Sequence, residues 1–230
     1  LPFVMQQRKK TIFLALVATV VALNLFIVGV FTVALGEAKA RKEAEVRTTV
    51  ENLALLLDQS VSSSVRGIDQ SLREIQLQLE RTLRQQVPLT DPDTVALLAF
   101  HESWLSQIAE LRVSDAQGRV LLGHGVTSDT RMSYADRDFF RAHREQDDGQ
   151  TRASKLLYGR IAGTWITVFS RRYNHPDGRF AGMVTAAVPV QHFEAMLSGL
   201  RLGRHGIALM RDTDKALIAR APRLDAPAGR

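Results

Sequence analysis

The sequence predicts an α+β protein in which an N-terminal transmembrane helix and a long stalk helix precede an antiparallel five-stranded sheet with helices on its face. Three observations lead to this prediction. Residues 11–35 form an uncharged apolar run, residues 37–87 carry apolar side chains at helical spacing, and residues 91–200 alternate short strand patterns with short helices. Residues 201–230 begin a second unit of the same kind.

The apolar run at residues 11–35 contains no charged side chain. About 25 helical residues measure roughly 37 Å, enough to cross the ~30 Å hydrocarbon core of a bilayer. The apolar core of a cleaved signal peptide is only about 7–15 residues long. Arg8, Lys9 and Lys10 precede the run without nearby acids, which favours a cytoplasmic tail at residues 1–10. Basic residues also follow the run, so their number alone leaves the orientation open.

The composition excludes several kinds of functional site. The chain has no cysteine, which excludes disulfides, thiolate metal sites and cysteine nucleophiles. A net charge of +6 could suggest nucleic-acid binding, but the basic residues are scattered among acids, so we expect no nucleic-acid partner. Because the chain begins at Leu1 and stops at Arg230 within a folded pattern, we expect it to be a fragment of a longer protein.

The stalk at residues 37–87 carries an apolar stripe whose members are spaced by three or four residues, 3.7 on average. Pro88 ends the predicted helix. Such a stripe must pack on something, either the partner chain of a homodimer or the protein's own domain. The stripe consists of Val46, Val50, Leu53, Leu57, Val61, Val65, Ile68, Leu72, Ile75, Leu79 and Leu83.

Residues 91–200 begin with a helix that Asp91 caps and Pro92 opens. Its predicted buried face is Val95, Leu98, Leu105 and Ile108. Trp104 and His101 lie beside this face, and either could contact a ligand, although a tryptophan in such a place is more often a core side chain.

A hairpin with a DAQG turn comes next, and then a short helix to about residue 145. Ser133 and Asp136 form a capping signature for that helix. Three strands, at 153–159, 164–173 and 180–190, and a helix at 192–200 complete the unit. A further hairpin at 205–220 weakly repeats the first one, which predicts the start of a second module.

No catalytic motif is present, and no two histidines have metal-ligand spacing. We therefore expect no enzymatic activity, no cofactor and no metal ion in these residues. The informative cluster is SYADRDFFRAH, in which Arg137 could bind a carboxylate beside the aromatic walls of Phe139 and Phe140. Alternatively, the two phenylalanines form the core face of the helix, and Arg137 pairs with Asp136 or with a loop carbonyl. The candidate ligand-binding residues are Tyr134, Asp136, Arg137, Phe139, Phe140, Tyr158, Trp165 and Arg171.

The order of a transmembrane helix, a long helix, DRDFF, a strand ending in SRR, PDGRFAG and GMVTAAVPVQHF resembles the double Cache (PDC) sensor region of bacterial receptors. That region consists of two PAS-like modules outside the membrane. The most similar versions precede GGDEF diguanylate cyclase domains, and others precede histidine kinases or chemoreceptor signalling domains. The resemblance covers residues 11–225 and implies a membrane-distal ligand-binding module at 91–200.

In the amino-acid-binding members of that family, an Arg-x-aromatic-aromatic pattern matches Arg137, Phe139 and Phe140. An aspartate that holds the ligand's ammonium group corresponds here to Ala187, and a tyrosine of the pattern corresponds to Leu157, one position before Tyr158. The resemblance therefore implies a small carboxylate or another anion as the ligand.

Two functions follow as alternatives. The first is a sensor in the periplasm, anchored in the bacterial inner membrane, that passes ligand binding to a cytoplasmic output domain outside this sequence. The second is a ligand-free dimerisation and spacer domain, whose pocket would be filled by its own side chains.

Overall fold

The computed structural model describes residues 2–127, 131–160, 162–200, 202 and 206–222, and for residues 2–18 and 22 the backbone only. The chain divides into two compact units, Leu1–Leu56 and Leu57–Arg230. Helix α1 is assigned to Pro2–Arg84 and contributes to both.

In the first unit, α1 includes an 18-residue window with a mean hydropathy of 2.2 and no buried side chain. Within the described residues, it is the one helix long and apolar enough to cross a membrane. Two polar side chains of this part bond back to the helix: Asn24 Nδ2 donates to Val20 O, and Thr32 Oγ1 donates to Gly29 O, each at 2.8 Å. Polar side chains paired within their own helix suit an apolar surrounding. The predicted span at 11–35 overlaps this window, but the side chains of its first eight residues lie outside the description.

The second unit contains the rest of α1 and all the sheet structure. Its further helices are α2 (Pro92–Leu105), α3 (Asp138–Glu145) and α4 (Val190–Ser198). Its strands are β1 (Glu110–Asp115), β2 (Val120–Gly123), β3 (Arg152–Ala153), β4 (Leu157–Gly159), β5 (Thr164–Asn174), β6 (Phe180–Pro189), β7 (Ala208–Arg211) and β8 (Leu217–Ala221).

The main sheet is antiparallel with the order β2-β1-β6-β5-β3, and β4 also pairs with β5. The sheet is therefore antiparallel and five strands wide, as predicted. Where the sequence predicted one strand at 153–159, two short strands occupy the same side of β5. The hairpin β7–β8 forms a separate sheet.

One face of the main sheet, called here the helix face, packs against α1, α2 and α4. Four members of the predicted stripe, from Ile68 to Leu79, are completely buried in this core. In the first unit, Val46 and Val50 of the same stripe are exposed. The stripe thus packs on the protein's own domain over residues 68–79.

Helix α2 confirms its predicted cap, because Asp91 accepts hydrogen bonds from the backbone N–H groups of Asp93 and Thr94. The predicted buried face is partly wrong. Trp104 is 59% exposed and Val95 is also exposed. Thr94 and His101 are buried instead, because their polar groups find partners on α1. The Thr94 hydroxyl bonds that of Thr82 at 2.9 Å, and His101 Nδ1 lies 3.0 Å from Ser71 Oγ.

The predicted capping of α3 is wrong. The helix begins at Asp138, with Arg137 at the N-cap position and no side-chain cap. Ser133 Oγ instead accepts from Ala135 N at 3.2 Å, and Asp136 pairs with Arg160. The side chains of both residues bind partners outside the helix. The two residues therefore have the spacing of a capping box without its hydrogen bonds.

The hairpin β7–β8 contacts α4, and Ala219 and Ala221 are buried in the helix-face core. A second module that begins here remains a prediction. Residues 201, 203–205 and 223–230 of that region lie outside the described part of the chain.

Candidate ligand-binding site

The second face of the main sheet, called here the cavity face, is covered by α3 and by the loop that precedes it. Side chains of a strand alternate between faces, so β5 directs Ile166 and Val168 to the cavity face and Trp165 and Phe169 to the helix face. The small core on the cavity face consists of Phe139, Phe140, Ile166, Val168, Met183 and Ala187.

A cavity lies between this small core and the loop. It holds about 450 Å³ of empty space, counting its open mouth. The described lining residues are Arg112, Met132, Ser133, Tyr134, Arg137, Phe139, Leu157, Gly159, Arg160, Ala162, Ile166, Val168, Thr185 and Ala187.

Arg137 stands at the start of α3 and is half-buried. One of its Nη groups donates to Tyr158 O at 3.4 Å. This is a long bond to a neutral acceptor. Among the described residues, the Arg137 guanidinium forms no ion pair with a carboxylate, unlike the other two arginines of the lining. Its charge is thus available to an anion in the cavity.

Arg112 was not among the predicted site residues, yet it lines the cavity from β1 and is only 2% exposed. Its Nη2 pairs with Glu110 Oε2 at 2.8 Å, and its Nε donates to His124 O at 3.0 Å. The alternation in the sequence LRVSD could have shown that Arg112 faces away from the Leu111–Val113 side of β1. Nothing local showed that this face covers a cavity.

Arg160 was also missed. It follows β4, lines the cavity and pairs with Asp136 at 2.5 Å. This pairing is the main reason that the pKa of Asp136 is lowered from its usual value. Asp136 was predicted to contact the ligand, but it lies outside the lining as the counter-ion of Arg160.

Two hydroxyl groups stand near Arg112. Thr185, its register partner on β6, lines the cavity and donates from Oγ1 to Arg112 O at 3.3 Å. The Tyr134 hydroxyl interacts with the side chains of Thr185 and Arg112. Burial raises the pKa of Tyr134, so its phenol stays protonated at neutral pH and can donate a hydrogen bond.

Of the predicted residues, Tyr134, Arg137 and Phe139 line the cavity. Phe140 lies behind it, fully buried, with its ring 5.5 Å from that of Phe180. Phe140 therefore belongs to the core that supports α3.

Tyr158, Trp165 and Arg171 do not line the cavity either. Tyr158 and Trp165 make an edge-to-face contact at 5.9 Å, and the Tyr158 hydroxyl donates to Gly163 O. Arg171 points to the helix face, where it binds Gln76 of α1, the Thr151 hydroxyl at 3.2 Å and Gly149 O at 2.5 Å. Its role in this structure is to tie β5 to α1.

The two positions at which the sequence departs from the amino-acid-binding pattern both lie in the lining. Ala187 is 5% exposed on β6, and Leu157 is half-buried on β4. No aspartate or glutamate is among the described lining residues, whereas three arginines are. The described lining therefore offers positive charge to an anion and no carboxylate to an ammonium group. Among the described residues no group of three possible metal ligands occurs.

Comparison with known proteins gives a consistent picture. The sequence matches no protein-family model and no curated protein. Among solved structures, the extracellular domain of rpHK1S-Z16, assigned as a histidine kinase, is similar with a TM-score of 0.67 and 27% identity, over 83% of this chain and 74% of the other.

Two chemoreceptor domains share the fold at low identity. The ligand-binding domain of Campylobacter jejuni Tlp3, in complex with 4-methylisoleucine, gives a TM-score of 0.59 at 10% identity, over 77% of this chain and 71% of the other. The ligand-binding domain of Pseudomonas fluorescens CtaA, in complex with L-alanine, gives a TM-score of 0.57 at 12% identity, over 75% of this chain and 71% of the other. The second unit thus has the fold of extracellular sensor domains, in agreement with the Cache-type resemblance of the sequence.

Proposed function

We propose that this chain is the extracytoplasmic sensing part of a membrane-anchored receptor and that it binds a small carboxylate in the cavity beside Arg137. The observation that carries the proposal is a guanidinium without a carboxylate partner in a cavity lined by apolar side chains and no described acid. A charge-assisted hydrogen bond to a guanidinium is stronger than a neutral one, and apolar walls strengthen it further.

A free amino acid fits this cavity less well than a simple carboxylate. The similar domains of Tlp3 and CtaA are known with amino acids bound, and an amino acid carries an ammonium group as well as a carboxylate. Here the floor position that would face such a group is Ala187, and the three charged side chains of the described lining are cationic. A buried ammonium without an anionic partner costs several kcal/mol.

The alternative of a ligand-free spacer predicts a cavity filled by the protein's own side chains. The empty space between α3 and the sheet favours the sensor. An open cleft lined by side chains of both the loop and the sheet is more typical of a binding site than of a filled core.

The wider setting belongs to the same proposal. The receptor sits in a bacterial inner membrane with residues 1–10 in the cytoplasm and the second unit in the periplasm. Two copies pair through the stalk helix, in the part of residues 37–87 that precedes the buried residue Ile68 and in which Val46 and Val50 are exposed. Ligand binding is passed to a diguanylate cyclase domain, or else to a histidine kinase or chemoreceptor domain. Chemical cross-linking in membranes tests the pairing, and a chain that remains monomeric would contradict it.

Calorimetric titration of the whole chain in lipid nanodiscs, with unbranched monocarboxylates of two to six carbons, tests the carboxylate site. Arg137→Gln keeps a polar side chain but removes the charge and the forked donors. We expect it to weaken binding about 10- to 100-fold, since a hydrogen bond to a charged group contributes about 1.5–3 kcal/mol.

Arg141→Gln is the matched control, because Arg141 lies one turn further along α3, pairs with Asp138 and does not line the cavity. We expect this variant to bind like the unmodified chain. Equal affinity of the Arg137→Gln variant and the unmodified chain would refute the carboxylate site.

A further inference from the structure

Two arginines that line the cavity, Arg137 and Arg160, bridge the same two segments of the chain. Arg137, at the start of α3, donates from Nη2 to Tyr158 O at 3.4 Å, and Arg160, which follows β4, binds Asp136 in the loop before α3. Asp136 and Arg137 are consecutive, so their Cα atoms are about 3.8 Å apart, and Tyr158 and Arg160 are separated by at most about 7 Å of chain. The two bridges therefore lie side by side.

The two guanidinium groups differ in their partners. Arg160 donates to Asp136 through both Nη groups, at 2.5 and 3.4 Å, in the forked arrangement typical of an arginine–carboxylate pair. Arg137 holds the neutral carbonyl oxygen of Tyr158 and forms no ion pair with a carboxylate among the described residues. Asp136 thus compensates one of two neighbouring positive charges and leaves the other one free.

The number of free positive charges limits the charge of the ligand. One carboxylate on Arg137 compensates the free guanidinium. A second carboxylate beside it would meet Arg160, whose charge is already compensated, and would be repelled by the negative charge of Asp136. The third arginine of the described lining, Arg112, lies on β1 and is likewise paired, with Glu110 at 2.8 Å. A ligand with two carboxylates therefore brings one negative charge more than the described lining balances.

We propose that Asp136 determines the specificity of this cavity, because it occupies Arg160 and thereby restricts the cavity to ligands with a single carboxylate. This inference rests on the proposed carboxylate site and adds the charge of the ligand and the residue that selects it. Asp136 lies outside the cavity lining and acts through Arg160.

Butanoate and butanedioate test the selection, because they share a four-carbon chain and differ only in the second carboxylate. The two carboxylate carbons of butanedioate are three C–C bonds apart, roughly 4 Å in an extended chain, so the second carboxylate stays close to the first. In calorimetric titrations of the whole chain in nanodiscs, the unmodified chain should bind butanoate about fivefold more tightly than butanedioate. This is the upper end of the effect of one partly exposed charge pair.

Asp136→Asn keeps the size of the side chain, removes its negative charge and frees the Arg160 guanidinium. The ratio of butanedioate affinity to butanoate affinity should rise at least about fivefold in this variant, because the second carboxylate gains a partner and loses a repelling neighbour. The side chains of Asp136 and Arg160 are 55% and 61% exposed, and such pairs contribute little to stability, so the variant should keep its fold.

Asp138→Asn is the matched control. Asp138 lies on the other side of Arg137 in the sequence, pairs with Arg141 and does not line the cavity. This variant changes the charge of the chain by the same amount as Asp136→Asn and should keep the affinity ratio of the unmodified chain. The double variant Asp136→Asn/Arg160→Gln lacks the second guanidinium and should lose the gain in butanedioate affinity.

The possible results separate the specificity inference from the carboxylate site. An unmodified chain that binds butanedioate more tightly than butanoate would overturn the specificity inference alone. So would an affinity ratio that stays constant in Asp136→Asn, or one that rises equally in Asp138→Asn. Butanoate binding that does not change in Arg137→Gln, or a complete lack of butanoate binding to the unmodified chain, would contradict the carboxylate site and the inference that rests on it.

Discussion

The two faces of the main sheet are built from the same strands and do different things. On the helix face, side chains such as Leu111, Val184 and Val188 are completely buried against three helices. On the cavity face, residues one position away along the same strands, such as Arg112 and Ala187, border empty space. The period of two in a strand allows one segment to contribute to both.

This difference shows how a small domain can keep an open site. The larger core lies on one face and includes α1, α2 and α4, whereas the smaller one mainly supports α3. Stability should therefore depend on the helix face and ligand affinity on the cavity face. The following changes test that separation, from the largest expected effect to the smallest.

Two Leu→Ala substitutions compare the faces directly. Leu111→Ala on the helix face should lower the free energy of unfolding by about 2–5 kcal/mol, because it leaves a void in a closed core. Leu157→Ala on the cavity face should cost less than about 2 kcal/mol, since Leu157 is half-buried and already borders empty space. Urea denaturation measures both values. Equal losses would show that the cavity face is packed as tightly as the other.

Two Arg→Gln substitutions sharpen the comparison. Arg171→Gln removes hydrogen bonds that tie β5 to α1 and to the loop before β3, and it should lower the free energy of unfolding by about 1–3 kcal/mol. Carboxylate affinity should stay unchanged in this variant. Arg137→Gln should show the reverse, a loss of affinity with little loss of stability. The same titration and denaturation assays measure both, and a loss of affinity in Arg171→Gln would contradict the assignment of Arg171 to the helix face.

The smallest effect concerns pH. His143 lies on the side of α3 that faces the sheet, it is buried, and burial lowers its pKa from the usual value. Its Nε2 lies 3.0 Å from Ser170 O. Arg152 and Arg172 also disfavour the charged ring, while Asp148 opposes them. As the pH falls below about 6.5, His143 therefore becomes protonated in the unfolded chain before it does so in the folded chain.

Stability is thus fully present above about pH 6.5 and falls below it, by at most about 1.4 kcal/mol per pH unit for this histidine. His101 and His192, whose pKa values burial also lowers, add to the slope. His143→Gln should flatten the slope between pH 6.5 and 5, as measured by denaturation at several pH values. A slope that stays unchanged in this variant would show that His143 charges freely in the folded chain.

Much of the fold could be predicted from the sequence because its signals are local. The Asp91–Pro92 helix start, the DAQG turn and the NHPDGR turn each lie within a few residues, and each is found in the structure. The apolar spacing of α1 likewise predicted a helix, although spacing alone did not show that residues 68–79 pack on the protein's own sheet.

The site was harder to predict because it is assembled from distant segments. Arg137 and Phe139 stand together in the sequence, but Arg112 reaches the cavity only because β1 pairs with β6 in the middle of the sheet. In the sequence, Arg171 and Arg137 are both arginines close to aromatic residues, so both were candidates for binding the ligand. The position of Arg171 in β5 directs its side chain to the helix face. The sequence alone did not show which face of the sheet carries the cavity.

The capping signature failed for a related reason. Ser133 and Asp136 have the spacing of a helix start, but Asp136 finds a stronger partner in Arg160, which lies 24 residues later. A long-range ion pair of this kind has no local signal. It competes successfully because a carboxylate and a guanidinium bind more strongly than a carboxylate and a backbone N–H.

The central claim is that the cavity face holds a carboxylate against Arg137. A crystal structure of the chain grown with the tightest-binding monocarboxylate found by titration tests it most directly. We expect the carboxylate about 2.8 Å from the Arg137 guanidinium, with the ligand's carbon chain over Ala187 and Val168. A ligand bound elsewhere, or a cavity closed by its own side chains while the ligand is bound in solution, would contradict it.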